Sequence, residues 1–346
     1  MTTLLARVVA PDPRTALGAQ ARLDRLTKPA GSLGRLEELA VRAAVITGSE
    51  SPRIAAPVIF TLAGDHGVVA EGVSAYPQSV TAQMVENFLR GGAGVNVLAR
   101  HVGARVVIAD LGVAADLPAH PALVARKVGP GTANLARGPA MTRDQAVAAV
   151  ASGAGLVEEA APDCVGTGEM GIGNTTSASA LTAALTGADP RAVTGRGTGV
   201  DEAAWAHKVA IVRQGIATNR ADPRDPLGVL AALGGFEIAG LVGVILAGAA
   251  RRIPVVLDGF IATAAALVAV RLRPEAREYL LAAHRSAEPG HRVLLETLGL
   301  APYLDLGMRL GEGTGAALGI GLLGAALACY AEMATFEEAG VSERLP

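Results

Sequence analysis

Aromatic residues are scarce in this 346-residue chain: Phe, Trp and Tyr together make up 3%, too few and too scattered to form a base-stacking platform. A surplus of positive charge is also missing. Lys and Arg number 30 against 32 Asp and Glu, a formal charge of -2, so nothing is available to neutralise a nucleic-acid backbone and no nucleic-acid partner is expected. The two cysteines, Cys164 and Cys329, are far apart in apolar surroundings. That pattern suits reduced, buried thiols in a cytoplasm better than a disulfide or a thiolate metal site. Met1 to Arg25 mixes charge with short apolar runs and contains no signal-peptide core.

Long apolar runs are limited to one. Ala316 to Ala334 approaches the length of a membrane span with Glu332 as its only charge, but it is built from Ala, Gly and small aliphatics and has no companion span. It is read as a buried core helix, and no membrane association is expected. The Gly319, Gly321 and Gly324 spacing inside it matches the dinucleotide fingerprint only formally, because no strand precedes it; these glycines read as close helix packing. Lysine is the last shortage. Only Lys28, Lys127 and Lys208 occur among the 30 basic residues, so each is a candidate for a place where a compact ammonium is wanted, with codon bias as the alternative.

What the chain has is apolar mass, with 51% hydrophobic and 18% charged residues, enough for a large core. Strand-like runs alternate with helical periodicity, which predicts an α/β fold with a mostly parallel sheet covered by helices on both faces. The expected strands are 57–63, 105–110, 164–167, 192–195 and 254–258, with a weaker one at 279–282. The expected helices include 34–47, 79–89, 93–102, 142–160, 202–219, 236–251 and 261–271. Residues 1–48 and 299–346 contain no convincing strand and are expected to pack together as a small helical domain beside a large domain of 49–298.

The most informative stretch is Gly168-Glu169-Met170-Gly171-Ile172-Gly173-Asn174-Thr175-Thr176, a glycine-rich turn leading into a helical segment. Its glycines let the backbone approach a ligand closely, and the first amides of a helix lack internal partners, so the junction suits a phosphate. A plain helix cap with Asn174 or Thr175 as N-cap is the alternative. In parallel sheets ligands bind beyond the carboxyl ends of the strands. Four polar exits are expected there: Gly64-Asp65-His66-Gly67, the glycine turn, Gly195-Arg196-Gly197-Thr198-Gly199 and Asp258-Gly259. Near the C-terminus, Glu312 lies between Gly311 and Gly313 with only Arg309 near it in sequence. Burial there would raise its pKa toward that of a usable base; a helix N-terminal carboxylate held by the dipole is the alternative.

Seven separated motifs carry a resemblance. They are Lys28 to Glu37 (KPAGSLGRLE), Asp65-His66-Gly67 with Glu71-Gly72-Val73, Gly168 to Thr176, Gly234 to Ile238, Leu257 to Phe260, His284 to Glu288, and Met308 to Gly313. In this order the chain resembles the nicotinate-nucleotide:dimethylbenzimidazole phosphoribosyltransferases, which build the lower ligand of cobalamin. The resemblance implies a Rossmann-like large domain, a small domain from both chain ends, and a homodimer whose active sites borrow residues from the partner. It also implies transfer of 5-phosphoribosyl from nicotinate mononucleotide to 5,6-dimethylbenzimidazole, giving α-ribazole phosphate and nicotinate with inversion at the anomeric carbon.

Nicotinate departs from a pyridinium, so neither an acid nor a metal is required; the acceptor must lose a ring proton, which calls for one base. By resemblance that base is Glu312. The turn of Gly171, Ile172, Gly173, Asn174 and Thr175 would hold the 5′-phosphate, with Lys208 and the loop around Gly197 on the same side, Glu169 close to the ribose, and Ser286 as a further binding residue. No cofactor is implied. Tyr76 and Met84, in the segment expected near the acceptor, stand where some members have Ser and Gln, so adenine, other benzimidazoles and phenolics stay open as acceptors.

The chain lacks the two carboxylates and Thr-Gly loop of a magnesium-dependent transferase using phosphoribosyl pyrophosphate. A nicotinamide oxidoreductase would need a strand, glycine fingerprint and helix that are not found. A non-catalytic binder would be expected to have lost Glu312. Asp65, His66, His284 and His291 do not form a common ligand spacing and read as hydrogen-bonded structural residues.

Overall fold

A computed structural model describes residues 1–342. Six strands, β1 (Pro57–Gly64), β2 (Arg105–Gly112), β3 (Leu123–Ala125), β4 (Cys164–Met170), β5 (Val255–Leu257) and β6 (Leu280–Ala282), form one sheet in the order β3-β2-β1-β4-β5-β6. Every pairing in it is parallel, as the alternation of strands and helices predicts. β1 is buried along its whole length, which is why its sequence reads as an unbroken apolar run rather than an alternating one. The sheet order reverses between β1 and β4, so their loops diverge and leave a crevice at the carboxyl edge.

The helices Ser79–Leu89, Glu202–Asn219 and Phe236–Ala250 fall within a residue of expectation. Helix Phe236–Ala250 is almost wholly buried and lies against helix Arg143–Ala160. Gly153 and Gly243 set that contact, since a Cβ on either would fall inside a facing backbone carbonyl, that of Gly240 or Val150.

One strand expectation fails, and one strand lies outside the expected set. Residues 192–195 are not a strand; Pro190–Val193 is a short helix, because Asp189 caps it by accepting from the Arg191 amide and Pro190 takes the first helical position. The Gly195 to Gly199 loop is therefore not a strand exit. β3 went unexpected because it has three residues, none fully buried, and follows a proline- and aspartate-containing loop.

The chain ends meet. The Arg22 guanidinium donates to the carbonyls of Tyr330 and Ala331, and Leu26 pairs with Thr335. Helix Thr314–Glu332 packs on helices Arg35–Thr47 and Gly94–His101 and also against β1, β4 and β5. Long and apolar enough to cross a membrane by composition alone, it has 56% of its most apolar window buried inside the protein. Gly319 gives close packing on Val256 and Ala283, whereas Gly324 faces open space. Cys164 is buried, but Cys329 on this helix is half-buried rather than buried. Residues 343–346 of the expected 299–346 segment lie outside the described residues.

The Gly153 and Gly243 contact makes a test of the core. Gly243→Ala should destabilise the protein by about 1–3 kcal/mol, because two backbones must separate to admit one methyl. Chemical denaturation should show it as a lower midpoint; an unchanged midpoint would mean that the helices do not meet this closely.

Candidate active site

The crevice opens into a cavity of about 460 Å³ lined by Tyr76, Met84, Glu169, Gly171 to Thr175, Gly197, Asp258, His284, Ser286, Glu288, Arg309 and Glu312, among others. The candidate residues thus converge, apart from Lys208, which stands directly behind Thr175. β6 supplies the fourth polar exit that the Gly195 loop does not, through His284, Ser286 and Glu288.

One end is a helix N-terminus. Gly173, not Asn174 or Thr175, occupies the N-cap of helix Asn174–Thr186, with φ 94°, a backbone that favours glycine. The Ile172 amide donates to Thr81 Oγ1 (3.1 Å), and the Asn174 and Thr176 amides donate to the carbonyls of Gly171 and Gly173. Among the described residues, no protein acceptor is found for the Gly173 and Thr175 amides. The Lys208 ammonium, 1% exposed, donates to Thr175 Oγ1 at 2.7 Å. Burial holds its pKa down at about 8 against the pull of Glu288. The other two lysines do not reach the cavity: Lys28 forms a buried ion pair with Glu37 (2.8 Å), and Lys127 pairs with Asp110 (3.4 Å).

The same cavity carries carboxylates. Glu312 has a left-handed backbone, φ 66°, unusual for a residue with a Cβ and a mark of a site-imposed constraint. Its Oε2 accepts from the Val95 amide at 3.3 Å, at the start of helix Gly94–His101. Arg309 does not pair with it and donates instead to the Gly197 carbonyl at 2.8 Å. Burial raises the Glu312 pKa, with the Asp258 charge adding to the rise and the Val95 and Gly94 amides opposing it. Glu169 is pushed up to about 8, first by burial and then by the charges of Asp258 and Glu237, although the Asn174 side-chain amide donates to it.

A model of the phosphoribosyltransferase family matches residues 8–341. The nicotinate-nucleotide–dimethylbenzimidazole phosphoribosyltransferase of Geobacter sulfurreducens is 58% identical over 346 residues, 99% of this chain and 98% of that protein. The enzyme of the same name from Roseiflexus is 56% identical over 348 residues, 100% and 99% of the two chains. The chain belongs to this family. The crystal structure of CobT from Thermus thermophilus, 50% identical, superposes with a TM-score of 0.92 over 96% of this chain and 100% of that one.

Two residues of this phosphoribosyltransferase sat inside recognised motifs without being singled out. Glu288 accepts from the Gly197 amide at 3.1 Å and so holds the Gly195 to Gly199 loop against the cavity. Asp258 accepts amides around Glu312, at Gly313 (3.1 Å), Gly315 (2.6 Å) and Ala316 (3.2 Å). Neither role has a local signal, because both partners are distant in sequence. His66 and His291 are hydrogen-bonded as expected, but His284 is not: among the described residues its buried Nδ1 has no partner, and its Nε2 stands 3.9 Å from Asp258. His66 joins Glu237 (2.6 Å) and Ser177 (2.9 Å). His291 accepts from the Ser286 amide (2.9 Å) and so donates from Nε2 to Thr263 (3.0 Å). Burial keeps it neutral, with its pKa lowered to about 3.

The scarcity of lysine makes the electrostatics directly readable. In a 13C-lysine NMR titration, one of the three lysine signals should titrate near pH 8 and vanish in Lys208→Met. Three signals titrating together in the ordinary lysine range would show that Lys208 is not desolvated as the fold places it.

Proposed function

We propose that this enzyme transfers 5-phosphoribosyl from nicotinate mononucleotide to a ring nitrogen of 5,6-dimethylbenzimidazole, giving α-ribazole 5′-phosphate and nicotinate for the lower ligand of cobalamin. The observation that carries the reading is one cavity lined both by a helix start with free amides and by a carboxylate of raised pKa. In it the 5′-phosphate lies on the Gly173 and Thr175 amides, as helix starts favour, with the Lys208 charge behind Thr175. Glu169 faces the ribose, and Ser286 lies on the wall beside it. Tyr76, 54% exposed at the cavity mouth, and half-buried Met84 border the acceptor and leave its identity among benzimidazoles, purines and phenols to be measured.

Glu312 takes the acceptor proton as the other ring nitrogen attacks the anomeric carbon from the face opposite the departing nicotinate. The bond to the pyridinium breaks, its electron pair returns to the nicotinate ring, and the positive charge is quenched without an acid. The raised pKa makes Glu312 a stronger base than an ordinary carboxylate while still leaving an ionised population. Because the base must be ionised and Lys208 charged, kcat/KM for the donor rises with pH through the Glu312 pKa and falls as pH rises through about 8, the Lys208 value in the free enzyme.

Mass spectrometry of enzyme, nicotinate mononucleotide and a panel of bases in chelated buffer should show the phosphoribosyl adduct of dimethylbenzimidazole. An absolute need for magnesium would overturn the donor assignment. Glu312→Gln should lower kcat by roughly 10²–10⁴-fold with donor binding nearly intact; a wild-type kcat with saturating acceptor would remove Glu312 from the chemistry.

The same reading places the enzyme in the cytoplasm as a homodimer, with the ends of the chain forming a small helical domain. Supporting the dimer are large apolar side chains left exposed beside the cavity, Leu310 and Tyr76 among them. Sedimentation at micromolar concentration should give one dimeric species; a monodisperse monomer would refute it.

A further inference from the structure

The backbone around Glu312 takes three left-handed residues in succession, Gly311 (φ 84°), Glu312 (φ 66°) and Gly313 (φ 103°). Glycine adopts this freely; glutamate does so at a cost of about 1–3 kcal/mol that its surroundings must offset. Three adjacent strands supply those surroundings. From β1, the Thr61 hydroxyl donates to the Glu312 carbonyl at 2.9 Å. On β4, Gly168 lies so close under the loop that a Cβ there would overlap the Glu312 carbonyl. From the end of β5, Asp258, 2% exposed, accepts from Gly313, Gly315 and Ala316 and so caps helix Thr314–Glu332 from outside its own chain segment.

Both Asp258 oxygens face N–H donors: Oδ2 faces Gly313, and Oδ1 faces Gly315 and Ala316, with His284 Nε2 at 3.9 Å. A protonated carboxyl would need an acceptor at one oxygen, so the geometry selects the carboxylate. Burial is the larger influence and raises the Asp258 pKa; His284 and the three amides oppose the rise, and it is their placement at both oxygens that favours the carboxylate. The ionisable groups facing Asp258 and Glu312 are Glu169 at the end of β4 and His284 beyond β6.

We propose that Asp258 is the positioning residue for the catalytic base: through its hydrogen bonds to Gly313, Gly315 and Ala316 it fixes the left-handed Glu312 loop on the sheet edge and sets an anion beside that loop. The inference rests on the reading of Glu312 as base and goes beyond it by naming what holds and tunes that carboxylate. Removing the three hydrogen bonds lets Glu312 relax out of line with the acceptor, a misplacement that costs rate rather than donor affinity. Removing only the charge leaves the Glu312 proton less tightly held.

The test is steady-state kinetics with pH profiles on the intact enzyme. Asp258→Asn keeps the shape and one acceptor oxygen; the acid limb of kcat should move down by about 0.5–1 pH unit, since a nearby anion has gone, with the donor KM within about threefold of wild type. Asp258→Ala should lower kcat by about 10–100-fold with the same small KM change. An acid limb unmoved in Asp258→Asn overturns the electrostatic half of the proposal. A donor KM raised by more than tenfold with kcat intact overturns the whole, because Asp258 would then be a donor contact. If Asp258→Ala does not fold, Asp258→Asn still decides through its pH profile. Glu312→Gln is run alongside: a wild-type kcat there sinks the base assignment itself, whereas a slow Glu312→Gln with unaltered Asp258 variants sinks only this inference.

Discussion

The pairing of β1 with β4 is the constraint on which the site depends. Its register sets Thr61 against Gly168 and Leu62 against Glu169, and the sheet order turns there from β2 on one side to β5 on the other. Both strands are buried, so their register cannot slip without exposing apolar side chains. The exits of β1, β4, β5 and β6 then emerge from one rigid edge. The glycine turn after β4 and the loop carrying Glu312 are held against it by short contacts rather than by their own secondary structure.

That rigidity accounts for the glycines around the cavity better than flexibility does. Gly168 lets a loop lie directly on β4, and Gly173 lets a helix begin where any Cβ would meet Val69 and His66. Behind this turn, the buried His66 joins Glu237 to Ser177, linking the β1 exit to two helices. The helix start is therefore oriented before any ligand arrives, and binding need not meet the entropic cost of ordering it.

The long central elements were legible because their sequences are locally consistent. β1 and β2 read as largely apolar runs between turn residues, and helix Glu202–Asn219 shows its Asp201 cap and polar faces plainly. β3 was not legible, because a three-residue edge strand is stabilised by its neighbour and leaves almost no pattern of its own. Residues 192–195 misled through β-branched Val193 and Thr194, while the Asp189-Pro190 cap signal beside them decided for a helix. At the site, glycine spacing and the lysine shortage pointed to the turn at Gly171 to Thr175 and to Lys208. Asp258 and Glu288 lay in plain view within motifs, but their partners are 55 to 58 and 91 residues away, and a single sequence does not announce contacts of that kind.

The charges of the cavity have an order that the proposed reaction uses. Lys208 and the helix start bring positive charge to the cavity, with Glu288 close to Lys208; Glu169, Asp258 and Glu312 are negative or proton-bearing, and Glu169 accepts from Asn174 at that same helix start. A donor with a phosphate at one end and a pyridinium at the other finds partners for both charges in that cavity. Its cationic ring brings positive charge toward Glu169, favouring ionisation of a carboxyl that burial otherwise keeps protonated near neutrality. In the proposed reaction the transition state spreads that charge onto the anomeric carbon, and a Glu169 facing the ribose would keep attracting it as the pyridinium leaves. Once nicotinate is neutral at its ring nitrogen, the attacking base carries the surplus positive charge, and loss of its proton to Glu312 relieves it.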